Sequence, residues 1–203
     1  MSSLANAPAI EVRDVSKRFR IYREKPTSLK QRLLTSRSRA EDFWALRDVA
    51  LDVGEGSTFG LIGHNGSGKT TLLKCVAGIL RPTSGAILQR GRLAALLELG
   101  AGFHPELTGR ENVYLNASFL GLSRKQTDAA FDDIVAFAEL EQFIDTEVKF
   151  YSSGMLVRLG FAVAVYVEPD VLLIDEVLAV GDEAFQAKCL NRVREFQREG
   201  RTI

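Results

Sequence analysis

Hydrophobic and polar residues follow two periods along this chain, one typical of strands and one typical of helices. They alternate along residues 10–15 and, less strictly, along residues 44–53, which predicts two half-buried strands. The continuous apolar runs 59–62 and 171–174 predict strands that are buried on both faces. A helix is expected after the first of these runs, over residues 70–77.

Helical patterns dominate the second half of the chain. Within residues 100–150, Thr108 is expected to begin one helix, and the capping-box pattern at Ser123 is expected to begin another. Residues 156–167 predict a third helix, and Gly200 is expected to end a fourth. The apolar stripes of the second and fourth helices comprise Phe131, Ile134, Val135 and Ala138, and Phe185, Cys189, Val193 and Phe196. Short strands are expected at residues 86–89, at residues 93–97 and from residue 201.

Composition indicates a folded cytosolic protein. The 203 residues are 46% apolar and 26% charged, which is typical of a globular domain. No apolar run approaches the roughly 18 residues that a membrane span requires, and the first residues lack the pattern of a secretory signal. Cys75 and Cys189 are expected to be reduced and packed, and His64 and His104 do not suggest a metal site.

Charge is balanced over the whole chain but not along it. There are 26 basic and 26 acidic residues, yet residues 13–39 hold ten Lys or Arg against two Asp or Glu. Within this stretch, residues 23–42 are expected to form an inserted loop. Such a basic segment can attract phosphates, nucleic acid or anionic lipid heads, or it can be a solvated loop.

The most informative segment is an octapeptide between the predicted strand 59–62 and the helix after it. It fits the pattern G-x-x-x-x-G-K-[ST], in which glycine amides and a helix N-terminus surround a phosphate group. Lys69 would reach the β- and γ-phosphates of a nucleotide, and the Thr70 hydroxyl would bind Mg²⁺. The predicted nucleotide ligands are Gly63, His64, Asn65, Gly66, Ser67, Gly68, Lys69, Thr70 and Thr71.

Two further segments carry chemistry. Asp175 and Glu176 follow the strand 171–174 directly, at the sheet edge where ligands bind in α/β folds. Asp175 is predicted to bind Mg²⁺, and Glu176 to polarise an attacking water as a general base. Small residues at 152–154 precede the helix 156–167, where amides and hydroxyls could meet an anion.

The order and spacing of residues 63–70, 151–155 and 171–176 resemble the nucleotide-binding domain of an ABC ATPase. Residues 97–112 and 175–182 are similar to the subgroup that exports O-antigen, teichoic acid, capsule or related glycolipids. The resemblance covers nearly all of the chain. It implies an α/β fold, that of a P-loop NTPase, with a RecA-like core, an antiparallel β subdomain and an inserted helical subdomain.

The resemblance also implies individual roles. Ser152 and Gly154 would belong to a signature loop that binds the γ-phosphate of ATP held by the other subunit. Asp182 would lie in the loop that links the two sites of a head-to-tail dimer. Phe19 matches the aromatic residue that stacks on adenine, with Tyr22 as the alternative; Phe19 could instead pack in the core.

This chain departs from the family pattern in three respects, one of which is the signature loop, where Ser153 and Met155 replace the more frequent glycine and glutamine, as the exporter subgroup permits. The family usually carries a glutamine near position 98 that senses Mg²⁺, and Glu98 is the nearest substitute here. The family's switch histidine would lie just beyond Ile203, so the chain is expected to be a C-terminally truncated fragment that hydrolyses ATP weakly. One domain is expected over residues 1–203, with a core of residues 1–98 and 156–203 and a helical subdomain near 99–155.

The implied function is that of the ATP-hydrolysing subunit of a polysaccharide or lipid-linked glycan exporter, with ATP and Mg²⁺ as cofactors. Its expected partners are a second copy, two membrane-spanning permease subunits and the glycan, without nucleic acid. Its expected location is the cytoplasmic face of the cell membrane, as a peripheral subunit. The alternatives are an ATPase serving another transporter, a non-transport ABC protein that clamps DNA or ribosomes, and a catalytically silent nucleotide-binding module.

Overall fold

The structure is a computed structural model that describes residues 7–22, 40–97, 102–175 and 182–203. The chain divides into two units. The larger unit comprises residues 1–10, 52–61 and 89–203, and the smaller unit comprises residues 11–51 and 62–88.

The smaller unit contains most of a three-stranded sheet and one helix. Strands β1 (Ile10–Tyr22), β2 (Ala40–Val53) and β3 (Ser84–Gln89) pair in the order β2-β1-β3. Helix α1 (Lys69–Val76) buries Leu72, Cys75 and Val76. The predicted strands and helix are confirmed, although residues 40–42 of the expected inserted loop already belong to β2. Residues 23–39 of that loop lie outside the described residues.

A parallel sheet forms one layer of the larger unit. Strands β4 (Leu93–Leu96) and β5 (Val171–Ile174) pair in parallel, with Leu93 opposite Val171 and Leu96 opposite Ile174. Thr202 adds an isolated parallel bridge to Val171. On its other side, the Ile203 N–H donates to the carbonyl of Ser57 at 2.9 Å. The strand predicted from residue 201 is therefore present only as a single bridge.

The strand predicted over residues 59–62 is not formed. Residues 57–64 have no strand assignment, and the Phe59 and Ile62 side chains are 44% and 99% exposed. Strand-like hydrogen bonding reaches only as far as the Phe59 N–H, which donates to the carbonyl of Ile203 at 2.7 Å. An apolar run becomes a buried strand only where other chain segments pair with it and cover its faces, and the described residues supply neither beyond residue 59.

Four α-helices are described in the larger unit: α2 (Gly109–Phe119), α3 (Arg124–Ala138), α4 (Ser153–Tyr166) and α5 (Glu183–Arg198). A short 3₁₀ turn, Val148–Phe150, precedes α4. The predicted helix starts at Thr108 and Ser123 are confirmed, and both are capping boxes in which side chain and backbone bond reciprocally. Among the described residues, no helix combines the length and apolarity that crossing a membrane requires.

The core of the larger unit lies where α3, α4 and α5 meet. The Phe137 ring centroid is 5.8 Å from that of Phe161 and 5.9 Å from that of Phe185. Burying each such ring contributes about 1.5–3 kcal/mol. All eight residues of the two predicted apolar stripes are buried. Both predicted packed thiols are buried as well, and burial raises the pKa of Cys189 to about 12.

Candidate functional site

The glycine-rich loop, residues 63–70, leads into the N-terminus of α1 in the smaller unit. Lys69, the first residue of α1, turns its side chain back along the loop. Its Nζ donates hydrogen bonds to the carbonyl oxygens of Gly63 at 2.8 Å and of His64 at 3.1 Å. The ammonium therefore lies inside the curve of the loop. Residues 63–67 and Thr70 are exposed, while Gly68, Lys69 and Thr71 are half-buried.

Two glycines of this loop cannot be replaced without strain. Gly68 has a φ of 95°, and a Cβ at this position would lie 2.7 Å from the carbonyl oxygen of Ala45 on β2. Gly66 has a φ of 82° but no heavy atom within 4 Å of the position of a Cβ. At both positions the backbone is left-handed, a conformation that glycine adopts readily and other residues adopt only with strain. The conformation of the loop therefore favours glycine at positions 66 and 68.

The predicted metal ligands are distributed over both units. Thr70 lies on the first turn of α1, and Asp175 follows β5 directly and is half-buried. Hydroxyl and carboxylate oxygens are donors that suit Mg²⁺. Thr70 belongs to the smaller unit and Asp175 to the larger one, so a Mg²⁺ site that takes ligands from both stays a prediction. Glu98 and Glu176 lie outside the described residues.

The serine turn, residues 151–155, begins α4. Ser152 is the N-cap of this helix, and its Oγ accepts a hydrogen bond from the Met155 N–H at 3.2 Å. Ser152 and Ser153 are exposed, and Gly154 is half-buried. Two exposed hydroxyl groups therefore lie at the N-terminus of α4, a helix end that suits an anion.

Backbone hydrogen bonds tie the 3₁₀ turn that precedes the serine turn to the segment before α2. The Val148 N–H donates to the carbonyl of Leu107, and the Lys149 N–H donates to that of Pro105, both at 2.9 Å. Asn112, which is fully buried, accepts from the His104 N–H at 2.7 Å. The motif at residues 104–112 thus holds the 3₁₀ turn that lies directly before α4.

An ion-pair cluster in the larger unit joins the middle of α4 to the end of α3 and the start of α5. Arg158 on α4 bonds Glu139 at 2.7 Å, contacts the Asp182 carboxylate and lies over the Phe185 ring at 5.0 Å. Glu139 ends α3, and Asp182 is the N-cap of α5. A hydrogen bond from the Phe185 N–H and the nearby Arg158 guanidinium lower the pKa of Asp182. The local sequence does not indicate this role of Arg158, because its partners Glu139 and Asp182 are 19 and 24 positions away along the chain.

The predicted adenine residue lies on β1. Phe19 is half-buried, and the Lys17 Nζ lies 5.2 Å from its ring centroid. The same Nζ donates to the carbonyl of Arg81 at 2.7 Å. Tyr22 is the last residue of β1. A role for either residue in binding adenine stays a prediction.

Comparison with known proteins adds three findings. The ABC transporter family matches residues 46–179. The O-antigen export system ATP-binding protein RfbB of Klebsiella pneumoniae is 48% identical over 201 residues, which cover 97% of this chain and 82% of that protein. The teichoic acids export ATP-binding protein TagH of Levilactobacillus brevis is 44% identical over 198 residues, 98% of this chain and 55% of that protein.

The fold also resembles solved ATP-binding cassettes. The cassette MJ0796, in a dimeric post-hydrolysis state bound to ADP and Pi, has a TM-score of 0.72 at 21% identity, covering 95% of this chain and 85% of that one. This likeness confirms the predicted fold class, and the names of the relatives match the exporter subgroup that the motifs resemble. A family match over residues 46–179 and a relative at 48% identity establish that the chain belongs to the ABC transporter family of ATP-hydrolysing cassettes.

Proposed function

We propose that this chain is the ATP-binding and ATP-hydrolysing subunit of an exporter that moves a polysaccharide or lipid-linked glycan of the O-antigen or teichoic acid type. The observation that carries the proposal is the position of Lys69, whose ammonium is enclosed by the glycine-rich loop at 2.8 Å from the Gly63 carbonyl. The names of the two relatives, which are 48% and 44% identical, support the choice of cargo.

Nucleotide binding would exchange the contacts of Lys69. The Lys69 ammonium would leave the two loop carbonyls and bind the triphosphate. The loop amides would bind the phosphate oxygens. Thr70 and Asp175 would hold Mg²⁺, which supplies charge neutralisation for the transferred phosphoryl group. Glu176 would orient the attacking water and accept its proton.

A second copy of the chain would complete the site. The exposed serine turn, with Ser152 and Gly154, would bind the γ-phosphate of ATP held by the glycine-rich loop of the partner. The nucleotide would then hold two chains together until hydrolysis removes the shared phosphate. The partners would be a second copy and two permease subunits at the cytoplasmic face of the membrane.

The test of this proposal is the affinity for ATP measured by titration calorimetry. Lys69→Ala should weaken binding by about 10- to 100-fold, because a charge-assisted contact to phosphate contributes roughly 1.5–3 kcal/mol. Lys74→Ala, which removes the same charge from the last turn of α1, is the matched control and should bind like the parent. Equal affinity in the parent and in Lys69→Ala would contradict the proposal.

The basic segment, residues 13–39, allows a test of the proposal that the cargo is a lipid-linked glycan. We propose that its excess of positive charge lies near the phosphorylated head of the lipid-linked glycan. Reversing the charge of Arg37 and Arg39 should lower export in cells without changing the basal ATPase rate. Unchanged export would refute this placement and leave the ATPase proposal intact.

A further inference from the structure

Glu139, the residue that directly follows α3, has a backbone conformation that glutamate rarely adopts. Its φ is 58° and its ψ is 46°, a left-handed position that glycine usually occupies after a helix. Glu168, two residues after the end of α4, is also left-handed, with a φ of 50°. Such a backbone is strained in any residue that carries a Cβ, so a non-glycine residue there suggests a function for its side chain.

The two glutamates differ in what their carboxylates contact. The Glu139 carboxylate accepts hydrogen bonds from Arg158 Nη1 at 2.7 Å and from Lys188 Nζ at 3.3 Å. Glu168 is exposed, and its carboxylate has no hydrogen-bond or ion-pair partner among the described residues. The contacts of the side chain therefore give a reason for glutamate at position 139 but not at position 168.

The two cations connect Glu139 to the two helices that follow it in the chain. Lys188, on α5, also donates to the carbonyl of Phe137 in the last turn of α3 at 2.9 Å, where a positive charge suits the helix C-terminus. Arg158, on α4, uses its other terminal nitrogen, Nη2, to contact the Asp182 carboxylate. The end of α3 is thus joined to the middle of α4 and the start of α5.

This connection reaches two segments of the proposed ATPase site. Arg158 lies five residues after Ser153, the first residue of α4, which is about 8 Å along the helix from the serine turn. Asp182, the N-cap of α5, comes six residues after Glu176 in the sequence. The guanidinium is a rigid planar group, so two carboxylates on two of its nitrogens fix its orientation. Without Glu139, only Asp182 would hold it.

We propose that Glu139 is a positioning residue for ATP hydrolysis, which orients Arg158 and thereby fixes the start of α5 relative to the serine turn. This inference rests on the proposed function. The Glu139 side chain is 52% exposed, and ion pairs at such exposure add little to stability, so its role is placement. Glu139 belongs to the larger unit and Lys69 to the smaller one. Its loss should therefore lower kcat and leave the KM for ATP unchanged.

The test compares Glu139→Gly with Glu168→Gly in the full chain. Both variants replace a left-handed glutamate by glycine, so both should unfold at the parental urea concentration or above. Glu139→Gly should lower kcat about tenfold with an unchanged KM, because small displacements of reacting groups slow catalysis strongly. Glu168→Gly is the matched control and should keep the parental kcat and KM. A purely structural role of Glu139 would not lower kcat in a variant of parental stability.

A double variant tests whether Glu139 acts through Arg158. Glu139→Gln removes the charge and should lower kcat in the parent, but it should have no further effect beside Arg158→Met. The two glycine variants decide the question even if Arg158→Met does not fold. Parental kcat in Glu139→Gly, equal losses in both glycine variants, or a full effect of Glu139→Gln beside Arg158→Met would each overturn the inference and leave the ATPase established. A parent chain that does not hydrolyse ATP would overturn the proposed function as well.

Discussion

At the scale of single residues, the glycine-rich loop shows two different reasons for a glycine. Gly66 needs only a left-handed backbone, since no atom lies within 4 Å of the position of a Cβ. Gly68 needs that backbone and also the absence of a side chain, because the Ala45 carbonyl would be only 2.7 Å away. A carbonyl within a strand cannot move without disturbing the strand. The two positions therefore separate backbone strain from steric conflict.

This difference predicts unequal losses of stability. Gly66→Ala should lower the free energy of unfolding by about 1 kcal/mol, the cost of a left-handed alanine. Gly68→Ala should lower it by roughly 2–4 kcal/mol, because strain and overlap with β2 add. Urea denaturation followed by circular dichroism measures both. Equal losses would show that β2 does not press on the loop.

The sequence predicts some of these residues better than others. Lys69 and the glycines of its loop could be predicted because the pattern that identifies them lies within eight consecutive positions. The role of Arg158 could not be predicted, since its contacts with Glu139 and Asp182 depend on how α3, α4 and α5 pack. Local motifs identify the ligand, whereas residues that position them are visible only after folding.

At the scale of elements, the difference between local and distant contacts explains why the helix starts were predicted correctly and one strand was not. The starts of α2 and α3 were predictable because a capping box is formed by residues three positions apart. The strand expected over residues 59–62 was wrong because strand formation depends on a distant partner, and Ile203 pairs only with residues 57 and 59. A short apolar run in the sequence does not show whether another segment of the chain will pair with it along its whole length.

The helix ends joined by Arg158 make stability depend on pH. The folded pKa of Asp182 lies below its ordinary value of 3.8, chiefly because of the Phe185 N–H and also because of Arg158. Asp182 therefore stabilises the fold above its ordinary pKa, and this contribution is lost as the pH falls through the lowered value. Asp182→Asn should unfold at lower urea concentration than the parent at pH 7, and the difference should shrink below pH about 4.

A second variant isolates the ion pair from the helix cap. Asparagine still caps a helix, so the loss in Asp182→Asn should come mainly from the charge. In an Arg158→Met background, Asp182→Asn should therefore cost less than it does in the parent. A pH-independent difference between the parent and Asp182→Asn would contradict a role for the charge.

At the scale of the whole molecule, the predicted site residues are distributed over both units. The glycine-rich loop belongs to the smaller unit, and the serine turn and Asp175 belong to the larger one. The exposed serine turn lies at a helix N-terminus and has no lysine of its own within residues 151–155. Such a turn suits a phosphate that another chain holds, which is why a dimer is part of the proposed function.

The dimer can be tested by slowing its disassembly. Glu176→Gln keeps the shape of the side chain but removes the base, so it should slow ATP hydrolysis about 100-fold or more while ATP still binds. With ATP bound and not cleaved, light scattering should show a species of twice the 22.4 kDa monomer. Adding Lys69→Ala to this variant should restore the monomer, because the loop then binds the triphosphate poorly. If the Glu176→Gln protein hydrolysed ATP at the parental rate, Glu176 would not be the base of the mechanism. If it bound ATP but stayed monomeric, the γ-phosphate would not be the contact between two chains.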